Sequence, residues 1–426
     1  MKSRVKLFQI IVVILIAFFG GYYFGVNKVA LDWHNYSPVL NVINKEPPAG
    51  VINVDFNPFW TVWQNLLTNY YDKSKLDQQK MLNGAINGMV TSLGDPFTMY
   101  LPPVQNTNFK QSLAGQFSGI GAELGMQGKD IVIIAPLDGS PAEKAGIKTG
   151  DIVLKVNGQS VVGTDLSKVV DQIRGPKGSK VTLTVTHKEP QKTVDIAITR
   201  DVITVKSVEM NIQSAKCSGT DCADISKDLC SGDNCTQFAY IRLSEFGDNT
   251  NQDWENMVKG ISDQINKDKN IKGVVLDLRN NPGGYLTDAQ FIAGEFLPKD
   301  TLVVSEDDGT TQTQLRVLRD GLLLTPKVVV LINGGSASAS EIVSGALRDN
   351  KRAILVGEKS FGKGTVQAAE DLGDGAGLHV TIAKWLTPNG TWVHGKGLTP
   401  DVVVTLDPKN PAVDTQLEKA VFELLK

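Results

Sequence analysis

Apolar and polar positions follow several rhythms along this chain, and each rhythm predicts a different structure. From Leu7 to Val26 (LFQIIVVILIAFFGGYYFGV) the chain is apolar throughout, uncharged, with Gln9 its one strongly polar side chain. A helix of that length, at about 1.5 Å per residue, spans a hydrocarbon core. Residues 27–53 hold Pro38, Pro47, Pro48 and Gly50 without a sustained period, the pattern of a tether. Helical spacing then takes over from Asn57 to Leu93, within an N-terminal helical region set at 54–111, with Phe59, Trp60, Val62, Trp63, Leu66 and Leu67, then Met81, Ala85, Ile86 and Met89. Gly94-Asp95-Pro96 stops it. Period-two runs (VTLTVTH, VDIAIT) mark strands before residue 200. From residue 236 onward strands and helices alternate. FAYIRLSEF, Gly273 to Arg279 and Val328 to Ile332 read as strands. Trp254 to Ile265, the stretch carrying Ile342, Val343, Ala346 and Leu347, and Asp414 to Leu425 read as helices. Such alternation predicts an α/β domain.

Composition adds two constraints. At 426 residues the chain exceeds one ordinary core, so two or three folded units are expected. With 43 basic and 46 acidic residues the net charge is −3, which gives no sign of a nucleic-acid partner. Charge matters most in residues 1–6, where Lys2, Arg4 and Lys6 precede the apolar run and place the N-terminus in the cytoplasm. Residues 7–26 are therefore expected to be an uncleaved signal anchor. A cleaved signal peptide is the alternative, although the run is long, no small-x-small site follows it, and Tyr22 and Tyr23 suit an interfacial belt. Either way the remaining chain is expected outside the cytoplasmic membrane, in the periplasm or at the cell exterior.

The four cysteines fit that location. Cys217, Cys222, Cys230 and Cys235 form two near-repeats, CSGTDC and CSGDNC, within residues 213–236. Metal knuckles usually space cysteines by two residues, and here four intervene. Two disulfides in a stapled surface excursion are expected, with three connectivities open and a metal-binding loop as the alternative.

Chemistry concentrates further on. After Val328 to Ile332 comes a turn of small residues, Asn333-Gly334-Gly335-Ser336-Ala337-Ser338, opening a helix. Such a turn mounts a nucleophile well: a substrate backbone can approach, and free amides at the helix start can hold developing negative charge. The same serines also suit simple capping. Twenty-five residues beyond Ser338 lies Lys363, in Ser360-Phe361-Gly362-Lys363-Gly364-Thr365-Val366-Gln367. A lysine takes a serine proton only when neutral, which requires burial among uncharged neighbours. Gln367, four residues on, is expected to face the same way and to orient the lysine without a carboxylate's charge.

GSASASE followed by FGKGTVQ at this spacing resembles the carboxyl-terminal processing peptidases, the tail-specific S41 serine proteases. The resemblance implies Ser338 as nucleophile, Lys363 as general base, Gln367 as its support, and Glu341 three residues after the serine. It implies that Asn280-Asn281-Pro282-Gly283-Gly284 lines the site and gives one oxyanion-hole amide, from Gly283 or Gly284, with Ala339 giving the other. Residues 112–200 resemble a PDZ domain, through Gly119-Ile120-Gly121-Ala122, PAEKAG, GDIV and IRGPKG. Such a domain adds an extended peptide to its sheet edge and holds a terminal carboxylate on backbone amides. Gly119, Ile120, Gly121 and Ala122 would form that turn, and Arg174 would carry a ligand-dependent contact toward the catalytic domain.

The implied fold is multi-domain α/β: a crotonase-like protease core (201–212 and 237–426) with an inserted-type β-rich PDZ domain and a small N-terminal helical region. The implied activity is that of a membrane-anchored serine endopeptidase acting on protein C-termini, without a cofactor or metal. It leaves room for a homo-oligomer or an activating partner. Two rivals stand beside it. A Ser-His hydrolase would draw on His34, His187, His379 or His394, none of which sits in a catalytic motif. A catalytically silent, membrane-anchored PDZ adaptor would have no need of both Ser338 and Lys363.

Overall fold

In the computed structural model, the described residues are Leu15, Phe18, 29–34, 37–42 and 54–426, less 128, 138, 188–190, 205, 219–220, 231, 233–234 and 407–412. The basic tail at 1–6 and nearly all of the apolar run at 7–26 lie outside them. Among the described residues no helix is long and apolar enough to cross a membrane. Within the expected tether, Val29–His34 and Ser37–Val42 pair as an antiparallel hairpin.

The chain divides into two units, Met1–Met81 and Leu82–Lys426. In the first, the helical pattern that starts at Asn57 stops at Asn69, because Tyr70 turns extended. Asp72 then caps the short turn Lys73–Lys75 by accepting from the Ser74 amide. A second helix, Gln78–Thr91, spans the boundary between the units.

In the second unit a seven-stranded sheet forms the centre. Its order is Asp221–Ser226, Val208–Ser218, Cys235–Leu243, Ile271–Asp277, Lys327–Ile332, Ala353–Gly357, Val402–Val403. The first two pairings are antiparallel and the last four parallel. The Lys327–Ile332 strand explains its own unbroken apolar run. Val328, Val330 and Ile332 enter the core beneath the helices Thr250–Lys267, Leu286–Gly294 and Ala339–Asp349. Val329 and Leu331 face the opposite core, against Leu417, Ala420, Val421 and Leu424 of the terminal helix Thr415–Leu425. A parallel strand covered on both faces has no polar side to show. The expected α/β protease core is thus present.

A five-stranded sheet stands beside it, in the order Gln312–Arg316, Leu302–Asp307, Ala376–Leu386, Thr365–Gly373, with Met99–Leu101 also paired to Ala376–Leu386. Within residues 112–200 lies a β-rich unit, a six-stranded sheet with Ala122–Gln127 at one edge and Lys192–Thr199 at the other, and with the helix Leu166–Ile173 nearby. It is inserted between two antiparallel partners, Gln116–Gly119 leading in and Asp201–Thr204 leading out.

The cysteine segment departs from the expected surface excursion. Cys217 is bonded to Cys222 and Cys230 to Cys235. Asp221–Ser226 is the edge strand of the central sheet, and Cys222 is buried in the core under the terminal helix. Ser214 ties the following loop by donating to the Asp228 carbonyl and accepting from the Cys230 amide, both at 3.0 Å. Apolar positions here are sparse and set among Ser, Gly and Asp, which hides the strand from pattern reading.

Candidate active site

Two turns are stitched together at the C-terminal ends of neighbouring parallel strands. One is Asn280 to Gly284, after Ile271–Asp277; the other is Asn333 to Ser338, after Lys327–Ile332. Asn333 Oδ1 accepts from the amides of Asn280 (2.8 Å) and Gly335 (3.0 Å), and its Nδ2 donates to Asn280 Oδ1. Ser336 and Ser340 are spent on the same seam: they donate to the carbonyls of Leu278 and Asn281 at 2.8 and 2.9 Å. Ser338 differs from both. It is half-buried, lines a cavity, and sits at φ +53°, ψ −115° as the helix Ala339–Asp349 begins. A side chain in that region costs about 1–3 kcal/mol and persists only where its surroundings enforce it.

Glu341 does the enforcing. It is fully buried, and each carboxylate oxygen accepts two donors. Oε2 takes the backbone N–H of Ser338 and of Lys363, both at 2.9 Å. Oε1 takes the Ser360 hydroxyl at 2.5 Å and the Gly362 amide at 2.7 Å. A buried carboxylate needs such compensation, and here it joins the backbone of Ser338 to that of Lys363.

The Lys363 side chain is half-buried, with Nζ 5.3 Å from the centroid of the Phe97 ring. Burial pushes its amine below the usual lysine range, while the charge of Asp95 pulls the other way. Ser338 and Lys363 line one cavity of about 410 Å³ with Phe109, Leu286, Ile342 and Trp385. His379 lines it too; burial lowers its imidazole, with Lys363 and Lys110 adding to the effect. Glu245, on the same wall, is raised by burial and by Asp248.

The remaining expected residues divide. Gln367 lines the cavity but is not hydrogen-bonded to Lys363 among the described residues. Its Nε2 donates to Thr365 Oγ1 (2.9 Å) and Thr381 Oγ1 (3.2 Å). Lys363 and Gln367 line the same cavity, and strand register shifts between Val366 and Gln367. Gly283 packs directly on Ser338, where a Cβ would lie 2.8 Å from Ser338 Cβ, but its amide donates to Asn281 Oδ1 at 2.9 Å. Gly284, at φ +141°, is pinned by the Phe246 carbonyl, 1.8 Å from where its Cβ would be. Ala339 is buried at the first helical position, where a backbone N–H has no intrahelical partner.

In the β-rich unit, Gly121 is the turn glycine, at φ +72° with a built Cβ 2.5 Å from Ser140 Cβ. Gly119 ends a paired strand, and the Ile120 carbonyl accepts from the Ala142 amide at 2.7 Å. Ala122 begins one edge strand. Arg174 lies over the Phe117 ring, 5.4 Å from its centroid. It shares a second cavity, about 330 Å³, with Glu245.

Sequence reasoning missed Asp95, Phe97 and Phe109, and weighed His379 only for a Ser-His hydrolase. Asp95 and Phe97 fall in a stretch that reads as a helix stop, and nothing local signals that the Phe97 ring meets a lysine more than 260 positions later.

Comparison with known proteins fits this geometry. The chain is 39% identical over 347 residues to the carboxy-terminal-processing protease of Bartonella bacilliformis, covering 81% of this chain and 74% of that one. The chain belongs to peptidase family S41. The profile described as Peptidase family S41 matches residues 237–404, that of the PDZ domain matches 132–186, and that of the activating protease CtpB N-terminal domain matches 19–103. A second S41 relative, the carboxy-terminal processing protease CtpB of Bacillus subtilis, is 37% identical over 344 residues, covering 80% of this chain and 66% of the relative. Among solved S41-like structures, the photosystem II D1 C-terminal processing protease superposes with TM-score 0.51 at 31% identity, covering 86% of this chain and 90% of its own. A putative S41 protease from Bacteroides fragilis shares the fold, with TM-score 0.53 at 16% identity, covering 83% and 90%. The chain is accordingly a serine peptidase carrying a PDZ domain.

Proposed function

We propose that this protein is a membrane-anchored, extracytoplasmic endopeptidase that cleaves proteins at or near their C-termini with a Ser338–Lys363 dyad. The observation that carries the dyad is Glu341: one carboxylate oxygen accepts the backbone N–H of both residues, so nucleophile and base share a fixed mount facing one cavity. Neutral Lys363 takes the Ser338 proton as Oγ attacks the scissile carbonyl, and burial supports that neutral form. The amide of Ala339 supports the oxyanion, with Gly284 as its partner, since the Gly283 amide is already given to Asn281. Gln367 acts at one remove, by holding Thr381.

For recognition, the substrate tail adds to the edge strand Ala122–Gln127, with its carboxylate at the Gly119–Ala122 turn. Arg174 then relays occupancy toward Glu245 across the cavity they share. Anchoring rests on the apolar run 7–26 and the basic residues before it. A homo-oligomer or activating partner is compatible with the CtpB N-terminal match.

The test uses full-length protein in detergent, with an unfolded substrate bearing either a free or an amidated C-terminus. Ser338→Ala and Lys363→Ala should each abolish cleavage, and amidation should weaken it. Cleavage that survives either substitution removes the dyad; equal rates on both tails remove tail reading. Protease shaving of intact cells reports the compartment.

A further inference from the structure

We propose that Phe109 is a specificity-determining residue: its ring, braced by His379, closes the apolar side of the catalytic cavity and limits the size of the substrate side chain placed beside Ser338. The proposal rests on the dyad reading above and deepens it, by naming what bounds the residue whose carbonyl Ser338 attacks. Phe109 stands outside the matched profiles, which end at residue 103 on one side and resume at 132 on the other.

Phe109 sits on the helix Pro103–Leu113, and that helix is fastened to the protease along its length. Asn106, itself buried, donates to the Gly375 carbonyl at 2.9 Å, and Lys110 pairs with Asp371 at 3.2 Å. The fit is close: a Cβ on Gly377 would lie 2.6 Å from Asn106 Oδ1. At the end of the helix the Leu113 carbonyl accepts the Asp248 amide at 2.8 Å, and Asn249 Nδ2 donates to the Ala114 carbonyl at 3.2 Å. A Cβ on Gly247 would collide with the same Leu113 carbonyl, so no space is left there either.

Helical spacing then sorts the side chains. Phe109 and Leu113, four apart, line the catalytic cavity, whereas Asn108 and Gln111 line the second cavity, which Arg174 shares. Ser112 borders both, so the helix is a partition between them. His379, on the Ala376–Leu386 strand, meets the Phe109 ring edge-on, with centroids 4.5 Å apart and planes at 72°. Burial holds that imidazole toward its neutral form, so this wall carries no full charge. Leu286, Ile342 and Trp385 share the cavity and extend its apolar lining.

Such a wall discriminates by size. Packed interiors do not stretch, and a side chain too large for its space forces rotamers and backbone to shift. A helix tied along its length cannot retreat to make room, and the edge-on contact with His379 favours one ring orientation. A charged side chain at this wall would lose its water without gaining a partner. The class that fits is therefore aliphatic, with alanine or leucine as the residue whose carbonyl Ser338 attacks. An aromatic ring there competes for the space Phe109 already fills.

The experiment uses full-length protein in detergent and peptides that differ only in the residue before the cut bond: alanine, leucine or phenylalanine. Mass spectrometry locates the cut, and kcat/KM is measured for each peptide. The native chain should cleave the alanine and leucine peptides better than the phenylalanine peptide. Phe109→Ala should raise the phenylalanine-to-alanine ratio by about tenfold or more, since one methylene in an apolar pocket is worth roughly 10–200-fold in kcat/KM. Phe109→Trp, which fills more of the space, should lower the ratio. If Phe109→Ala does not fold, Phe109→Leu carries the same test with a smaller shift in the same direction. An unchanged ratio, or an equal loss across the three peptides, overturns the proposal, because a merely structural role slows all of them alike. Ser338→Ala and Lys363→Ala run alongside separate the two claims: cleavage by either sinks the dyad, whereas their inactivity with an unmoved ratio sinks only the role of Phe109.

Discussion

Glu341→Gln is the sharpest single perturbation available in this structure. It changes one atom of a fully buried group that accepts four hydrogen bonds. A glutamine must turn its NH2 toward one of the two donor pairs. Placed at Oε2, the NH2 confronts two backbone N–H groups, of Ser338 and Lys363, neither of which can reverse. Placed at Oε1, it confronts the Gly362 amide and the Ser360 hydroxyl; the hydroxyl can reverse, although it already accepts the Leu398 amide at 2.6 Å. The better choice still orphans one buried N–H, at about 1–3 kcal/mol, and weakens the two remaining bonds by about 1 kcal/mol each as their charge is lost. The total, about 3–5 kcal/mol, is a large part of a typical folding free energy of about 5–15 kcal/mol. Urea denaturation of the full chain measures this directly. Fluorophosphonate labelling of Ser338, under conditions where the variant remains folded, measures the second consequence: acylation should slow more than tenfold once Ser338 and Lys363 lose their shared anchor. A Glu341→Gln protein with native stability and native labelling would refute the clamp.

Other outcomes follow from the same contacts. Activity should rise with pH as Lys363 deprotonates, with a midpoint below the ordinary lysine value of 10.5 because burial disfavours the ammonium; Lys363→Arg should be inactive at every pH, since arginine cannot give up its proton. Gly284→Ala should cost more than about 3 kcal/mol in a thermal melt, because the new methyl meets the Phe246 carbonyl at a φ that side chains avoid. Gly309→Ala, which meets nothing within 4 Å, is the milder comparison. Thiol labelling of the native chain should find no reactive cysteine, and deleting residues 217–235 should raise hydrogen exchange in the helix Thr415–Leu425, which packs on the lost strand; unchanged exchange there would mean the edge strand is dispensable.

What the sequence revealed and what it concealed differ in range. The Lys327–Ile332 strand, the small-residue turn and the helix after it were legible because each is a local pattern, and the separation of Ser338 from Lys363 was legible as a paired motif. The clamp was only half visible: Glu341 stood three residues after the serine, but its bonds to Ser360, Gly362 and Lys363 depend on how two loops meet. The threonine hydroxyls that Gln367 holds, on its own strand and on the next, leave no trace in its spacing from Lys363. The charge that opposes the effect of burial on Lys363 belongs to Asp95, far away in the chain, where local sequence gives no sign of it. The edge strand Asp221–Ser226 escaped because its residues look like loop. Long-range polar contacts leave no periodicity behind them.

The antiparallel pairing of Gln116–Gly119 with Asp201–Thr204 places the two ends of the PDZ domain side by side, with Gly119 opposite Asp201. Topologically the domain is a bead on a two-strand stalk. Removing 120–200 leaves a gap that a two-residue hairpin turn can close, because adjacent antiparallel strands lie only about 5 Å apart. The protease sheets on either side need no rerouting of the chain. Excision and exchange for another peptide-reading module are thus operations on one joint, and the stalk is where a chimera should be cut.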